Sequence, residues 1–226
     1  MKRLCIIQSS YLPWIGFFDM IRRSDEYIAL DCAQYTKRDW RNRNYFKFHS
    51  GLGRLTVPVV KGARERAIDA VEIAGEDWAA RHWRSLSQAY ASAPYFAQYR
   101  DYFEPVFAHP PRLLSVLNVA LLRAVCAALA IKTPIKLSTD YGRFAGRNER
   151  LIALCQSAGA THYLSGPSAA AYLDKDAFAR AGVIVEWMQY GYPPYRQQHG
   201  DFIPNLSILD AIFNVGPHVI DLMEGK

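Results

Sequence analysis

No stretch of this chain approaches the ~20 consecutive apolar residues of a membrane-spanning helix, so no span is expected. No secretory leader is expected either. After Met1-Lys2-Arg3, only Leu4-Cys5-Ile6-Ile7 are apolar before Gln8 interrupts, which predicts a cytoplasmic protein. The absence of a Walker A loop and of a G-x-G-x-x-G fingerprint excludes the standard NTPase and dinucleotide-binding readings. Ser165-Gly166 stands outside any G-x-S-x-G elbow, so it is not read as a hydrolase nucleophile. No H-E-x-x-H and no spaced Cys/His cluster occurs; no metal is expected, and no cofactor is identified. Cysteine is sparse: four residues, none in a C-x-x-C pair. Cys5, Cys126 and Cys155 lie in apolar runs and are expected to be buried, reduced thiols.

What the chain does contain is enough apolar material for a core. Half of its 226 residues are hydrophobic and 21% are charged, which excludes a wholly disordered chain and suits one α/β domain with a helical annex. Net charge is +6, and part of the excess is local. Lys37, Arg38, Arg41, Arg43 and Lys47 fall within eleven positions, offset by Asp39. Such a patch could meet phosphate on a nucleotide, a sugar nucleotide or RNA; it also reads as an ordinary solvated loop.

Residues 3–8 read as a short buried strand. Trp14, Ile15, Phe17, Phe18 and Ile21 have helical spacing, with Pro13 suited to the first turn. Residues 26–31 form a second strand, completing a β-α-β opening that favours parallel pairing. A polar loop is expected over 32–44, a third strand over 55–60 with Pro58 at an edge or bulge, and a further strand near 71–73. Residues 77–130 carry a helical aromatic pattern and read as an inserted helical subdomain. Strands return at 135–138, 162–165 and 183–188, with a helix over 147–157 closed by Gly159. Residues 204–213 should pack back on the sheet. The expected fold is a single α/β domain over 1–226, a mainly parallel Rossmann-like sheet with the helical insertion at 77–130.

Ligands of open parallel sheets bind at the carboxyl ends of strands. Polar and aromatic clusters fall at such ends: 8–14, 31–35 running on to 40–44, 164–168 and 192–197. Arg43, flanked by Asn42 and Asn44, could bind phosphate or carboxylate through its planar fork, or serve loop carbonyls instead. Asp31 and Gln34 could position a hydroxyl or amine, and Asp31 also reads as a turn cap. Tyr11 and Trp14 could stack on a sugar or base, or belong to the core. Gln8, Ser165 and Tyr195 complete the candidate substrate contacts. His82 and His162 are the histidines placed to act as general bases, although each also reads as a packed histidine.

At these loops the chain resembles the WbqC-like proteins. The resemblance rests on Gln8-Ser9-Ser10-Tyr11-Leu12-Pro13-Trp14-Ile15-Gly16-Phe17-Phe18-Asp19, Ser24-Asp25, Leu30-Asp31 with Gln34, and Trp40-Arg41-Asn42-Arg43-Asn44. Leu55-Thr56-Val57-Pro58, Glu149-Arg150-Leu151-Ile152, Tyr163-Leu164-Ser165-Gly166 and Ser207-Ile208-Leu209-Asp210 extend it along nearly the whole chain. One departure is Ser9, where the family pattern has proline. The resemblance implies a bacterial setting, the making or decorating of O-antigen and other surface polysaccharides, and names no reaction.

Together these features point to a group-transfer enzyme, a transferase or ligase. Its acceptor would be a sugar or amino sugar, with acyl or aminoacyl transfer among the options. An anionic small molecule (nucleotide, sugar nucleotide or acyl donor) would lie near Arg43 and Lys47. Two rivals stand beside this reading: a non-catalytic sugar-nucleotide binder or scaffold, and an RNA-binding protein. The single short basic patch, without a known RNA-binding motif, makes nucleic acid the weaker expectation.

Overall fold

The computed structural model describes residues 1–225. Arg3–Ile7 forms β1, Ile15–Arg22 forms α1 and Glu26–Ala29 forms β2, with β1 and β2 parallel. Trp14, in extended conformation, precedes α1, so Pro13 lies just outside the helix. Arg43–Phe48 (β3) and Gly51–Thr56 (β4) pair as an antiparallel hairpin. The helices α2 (Trp78–Tyr90), α3 (Phe96–Tyr99), α4 (Glu104–Ala108) and α5 (Leu114–Ala128) follow. The chain then returns to the sheet through β5 (Ile135–Leu137), α6 (Asn148–Ser157), β6 (His162–Ser165), α7 (Lys175–Arg180) and β7 (Ile184–Trp187). It closes with α8 (Ile208–Val215) and α9 (Val219–Met223).

The main sheet has five strands in the order β5-β2-β1-β6-β7, every pair parallel. This is an α/β, Rossmann-like architecture. Side chains alternate across it as strand geometry requires. Cys5, Tyr27, Ala29 and Leu164 enter a large core shared with α1, α5 and α8, whereas Leu4, Ile6, Ile28 and Tyr163 enter a smaller one with Leu154 and Phe178. Both faces are covered, which is why these strands read as apolar runs. The large core also takes in Trp78, Leu86 and Phe103 from the 77–130 segment, so those helices pack directly on the material beneath the sheet. Gly159, at φ 65°, follows α6 in the left-handed conformation its position requires.

Two expectations are corrected. The third strand lies at Gly51–Thr56 and stops before Pro58, and its partner β3 begins inside the segment read as a loop. The alternation of β3 was hidden because polar Asn44 and Lys47 are among its buried residues. Residues 71–73 make only isolated bridges, Val59↔Ile73 and Glu72↔Leu113, after a 3-10 turn at Ile68–Ala70.

Candidate functional site

Strand order locates the site. β1 leads to β2 on one side, while its other neighbour is β6, which the chain reaches only after a further 132 residues (30–161) of excursion and return. Their carboxyl ends therefore diverge at a topological switch point, where open α/β sheets leave a crevice. A cleft of about 1080 Å³ opens there, lined by Gln8 at the end of β1, Leu30 beyond β2 and Ser165-Gly166 at the end of β6. Trp14, Trp40, Tyr172 and Tyr190 supply aromatic walls. Its charged lining consists of Arg41, Arg147 and Arg150, with no Asp or Glu among the described lining residues.

The floor is a buried polar network. Asp31 accepts from the Ser9 amide (2.8 Å), the Ser9 hydroxyl (2.7 Å) and the Ser115 hydroxyl. Arg41 donates to the carbonyls of Gln8 (2.7 Å) and Ser9 (2.9 Å), and Asn118 donates to Ser9 Oγ and the Arg41 carbonyl. Burial raises the Asp31 pKa, opposed by the hydrogen bonds of Ser115 and Ser9 and by the Arg41 charge. Burial likewise lowers that of Arg41. The Arg41 charge is supported first by Asp39, 3.7 Å from its Nε, and the Asp31 charge chiefly by the fixed dipoles of Ser115 and Ser9, so the network orients the 8–14 loop and Arg41. Ser9 gives Asp31 two donors, of which a proline could supply neither. Asn44 continues the clamp by donating to the carbonyls of Tyr11 (3.2 Å) and Leu12 (2.5 Å). Leu12 sits at φ 46°, a conformation rare for a bulky residue and needing such support.

At the opposite wall Arg147 stands immediately before α6 and Arg150 in its first turn. The Arg147 guanidinium lies 3.4 Å from the Tyr172 ring centroid, and Arg150 Nε donates to the Phe144 carbonyl (2.7 Å). Cations at a helix N-terminus oppose the helix dipole, which favours anions there. The same placement adds positive charge to the wall of the cleft.

Of the twelve residues expected at a site, Gln8, Trp14, Gln34, Asn44 and Ser165 line the cleft. The others lie elsewhere. Arg43 is half-buried in the first position of β3, opposite Thr56, and the neighbouring arginine that reaches the cleft is Arg41. Asn42 is buried and donates to the Val57 carbonyl (2.8 Å). Lys47 is buried too, its ammonium satisfied by the carbonyls of Gly200 (2.8 Å) and Asp201 and by Gln197. Asp31 lies beneath the lining, within the floor network. Tyr11 is fully buried, with its hydroxyl 2.9 Å from His82 Nδ1. His82 packs edge-on to Trp78, and burial, reinforced by Arg81, brings its pKa down to about 4. His162 opens β6 opposite Arg3, at the amino edge of the sheet and so away from the cleft. Tyr195 lines a separate small hollow and donates to Asp210 (2.8 Å).

Arg147, Arg150 and Tyr190 were not anticipated at the site, whereas Trp40 and Tyr172 fall in or just beyond the clusters expected at strand ends without having been named as contacts. A signal existed for the first two: a helix that starts Arg147-Asn148-Glu149-Arg150, after Gly142 and Gly146, carries cations where the dipole disfavours them.

The family model described as the WbqC-like protein family matches residues 8–222 of the chain. The chain is also 46% identical over 226 residues to the uncharacterized protein Rv1507c of Mycobacterium tuberculosis, covering 99% of this chain and 98% of that one. No solved structure matches it.

Proposed function

Because the chain belongs to the WbqC-like protein family, we propose that it transfers a group to a sugar or amino sugar of a bacterial surface polysaccharide, holding a phosphate-bearing donor in the switch-point cleft. One observation carries this reading: three arginines, and no carboxylate among the described lining residues, face a cleft at the carboxyl edge of a parallel sheet. Arginine forks match phosphate oxygens, and the aromatic walls suit a base or sugar ring. Transfer from a phosphate leaving group asks the protein chiefly to neutralise developing charge and fix the reactants in line. Acyl and aminoacyl transfer from an activated, phosphate-bearing donor fits the same demand.

The basic segment 37–47 gives little support to RNA binding. Arg41 and Lys47 are buried and Arg43 is half-buried, leaving Lys37 and Arg38 exposed. A second reading, a non-catalytic sugar-nucleotide binder, is favoured by the lack of any imidazole or carboxylate among the described lining residues. Proton transfer would then fall to the substrate, or there would be none.

The test is a thermal-shift screen of nucleotides, sugar nucleotides and acyl-coenzyme A thioesters, followed by titration calorimetry. A ligand at one hundred times its Kd should stabilise the fold by about 2.7 kcal/mol. Arg147→Ala removes an exposed side chain, so its unliganded melting temperature should stay near that of the parent while affinity falls about tenfold. The reading fails if no anionic ligand stabilises the protein, or if Arg147→Ala binds as tightly as the parent. Binding without turnover, across sugar and amino-sugar acceptors, would select the non-catalytic reading.

A further inference from the structure

Beside the cleft lies a second hollow of about 190 Å³, walled by Trp14, Tyr190, Tyr192, Tyr195 and Phe202, with no charged residue among its described lining. Trp14, Tyr190 and Asn205 line both spaces, so the two adjoin. From this we infer that the hollow is a sugar subsite: it takes the uncharged ring of a sugar nucleotide whose diphosphate lies on Arg41, Arg147 and Arg150. The inference rests on the anionic reading of the cleft and adds where the sugar goes.

Size is the first argument. The hollow is smaller than the ~300–1,000 Å³ of drug-sized sites and suits a single ring rather than a long acyl chain. The second is rigidity. Trp14 meets Tyr190 edge-on at 5.0 Å and Tyr192 at 5.8 Å, and Tyr195 meets Phe202 at 5.3 Å. Tyr192 and Tyr195 are anchored by their hydroxyls to Asp19 (3.0 Å) and Asp210 (2.8 Å), so these rings are held as fixed walls. Aromatic faces of this kind accept the C–H face of a hexose.

The third argument is polar satisfaction at the junction. Neither the Tyr190 hydroxyl nor the Asn205 amide forms a hydrogen bond among the described residues, though the other tyrosine hydroxyls of the hollow do. A purely apolar occupant would strip water from both groups and give nothing back. A hexose, with hydroxyls around its ring, pairs with both. Asn205 is presented from a left-handed backbone position, φ 59°, which asparagine tolerates better than most residues.

The experiment titrates the full chain with uridine, guanosine and thymidine diphosphates, and with the hexose and amino-hexose conjugates of each. At least one conjugate should bind the parent about tenfold more tightly than its sugar-free diphosphate, the effect of one or two desolvated hydrogen bonds. Phe202→Ala truncates a residue 38% exposed, and Asn205→Gly keeps the positive φ accessible, so both should fold. Each should abolish most of the sugar-dependent gain and leave affinity for the bare diphosphate unchanged. Equal binding of diphosphate and conjugate by the parent would overturn the subsite while leaving the cleft reading intact. So would a gain that survives both substitutions. If neither class of ligand binds, the cleft reading falls and the subsite falls with it.

Discussion

His82 illustrates how one residue of catalytic type is turned to structure. Its ring is enclosed by Trp78 and Tyr11, and its Nδ1 is engaged by the Tyr11 hydroxyl at 2.9 Å. Burial lowers its pKa from 6.5 to about 4, so the folded chain holds it neutral at pH 7. Between those two values the unfolded chain binds the proton and the folded chain does not. Stability from this residue is therefore complete above pH 6.5 and is lost as pH falls toward 4, by about 3 kcal/mol in all. Asp31 and Asp210, whose pKa values burial raises, act in the opposite sense, so the effect is isolated by comparison with a variant. His82→Gln should be less stable at pH 7 yet lose less on going from pH 7 to pH 4.5, as read from urea midpoints. Parallel pH profiles for the two proteins would show that His82 does not titrate across folding.

Among the elements, α6 and the turn before it carry two of the arginines on which the proposed anion site depends. Gly146, at φ 77°, precedes Arg147, and a Cβ built on it would collide with the Glu149 carboxylate. That carboxylate accepts the Arg147 amide at 3.1 Å, capping the helix start. Gly146→Ala should therefore displace both Glu149 and Arg147. The strained backbone should cost about 1 kcal/mol or somewhat more, and affinity for the best phosphate-bearing ligand should drop several-fold. Far-UV circular dichroism should be unchanged, because only the first turn of α6 is disturbed. Ligand affinity equal to that of the parent would remove this turn from the site.

For the whole molecule, the closed core on both faces of the sheet should be visible in thiol chemistry. Cys5, Cys126 and Cys155 are buried and free, while Cys32 is half-buried. Burial pushes the Cys126 and Cys155 thiols up to about 12 and the Cys5 thiol higher still, so little thiolate is available even at alkaline pH. A thiol reagent should label one cysteine per chain quickly, and the other three only at the rate at which the fold opens. In denaturant all four should react together. Rapid labelling of two or more in the native protein would contradict the packing on one face of the sheet.

The parallel sheet was legible in the sequence because buried strands read as short apolar runs punctuated by glycine, proline and polar loops. β1, β2, β5, β6 and β7 all lie within or at the runs expected for them. The β3–β4 hairpin was not, because Asn44 and Lys47 turn inward and break the alternation that marks a strand. Clustering of polar residues at strand ends placed Gln8 and Ser165 at the carboxyl edge of the sheet, where the cleft opens, since that follows from strand direction alone. Which arginine lines the cleft did not follow. Arg41 and Arg43 are two residues apart in one polar segment, and only the packing of that segment on Ser9, Asp31 and Asn118 brings Arg41 to the cleft and leaves Arg43 in a hairpin strand. Arg147 and Arg150 lie more than a hundred residues from Gln8 and meet it because β6 returns beside β1. Local order is set by spacing along the chain, which the sequence displays. The charge of the cleft is set by contacts between distant segments, which exist only once the sheet has closed.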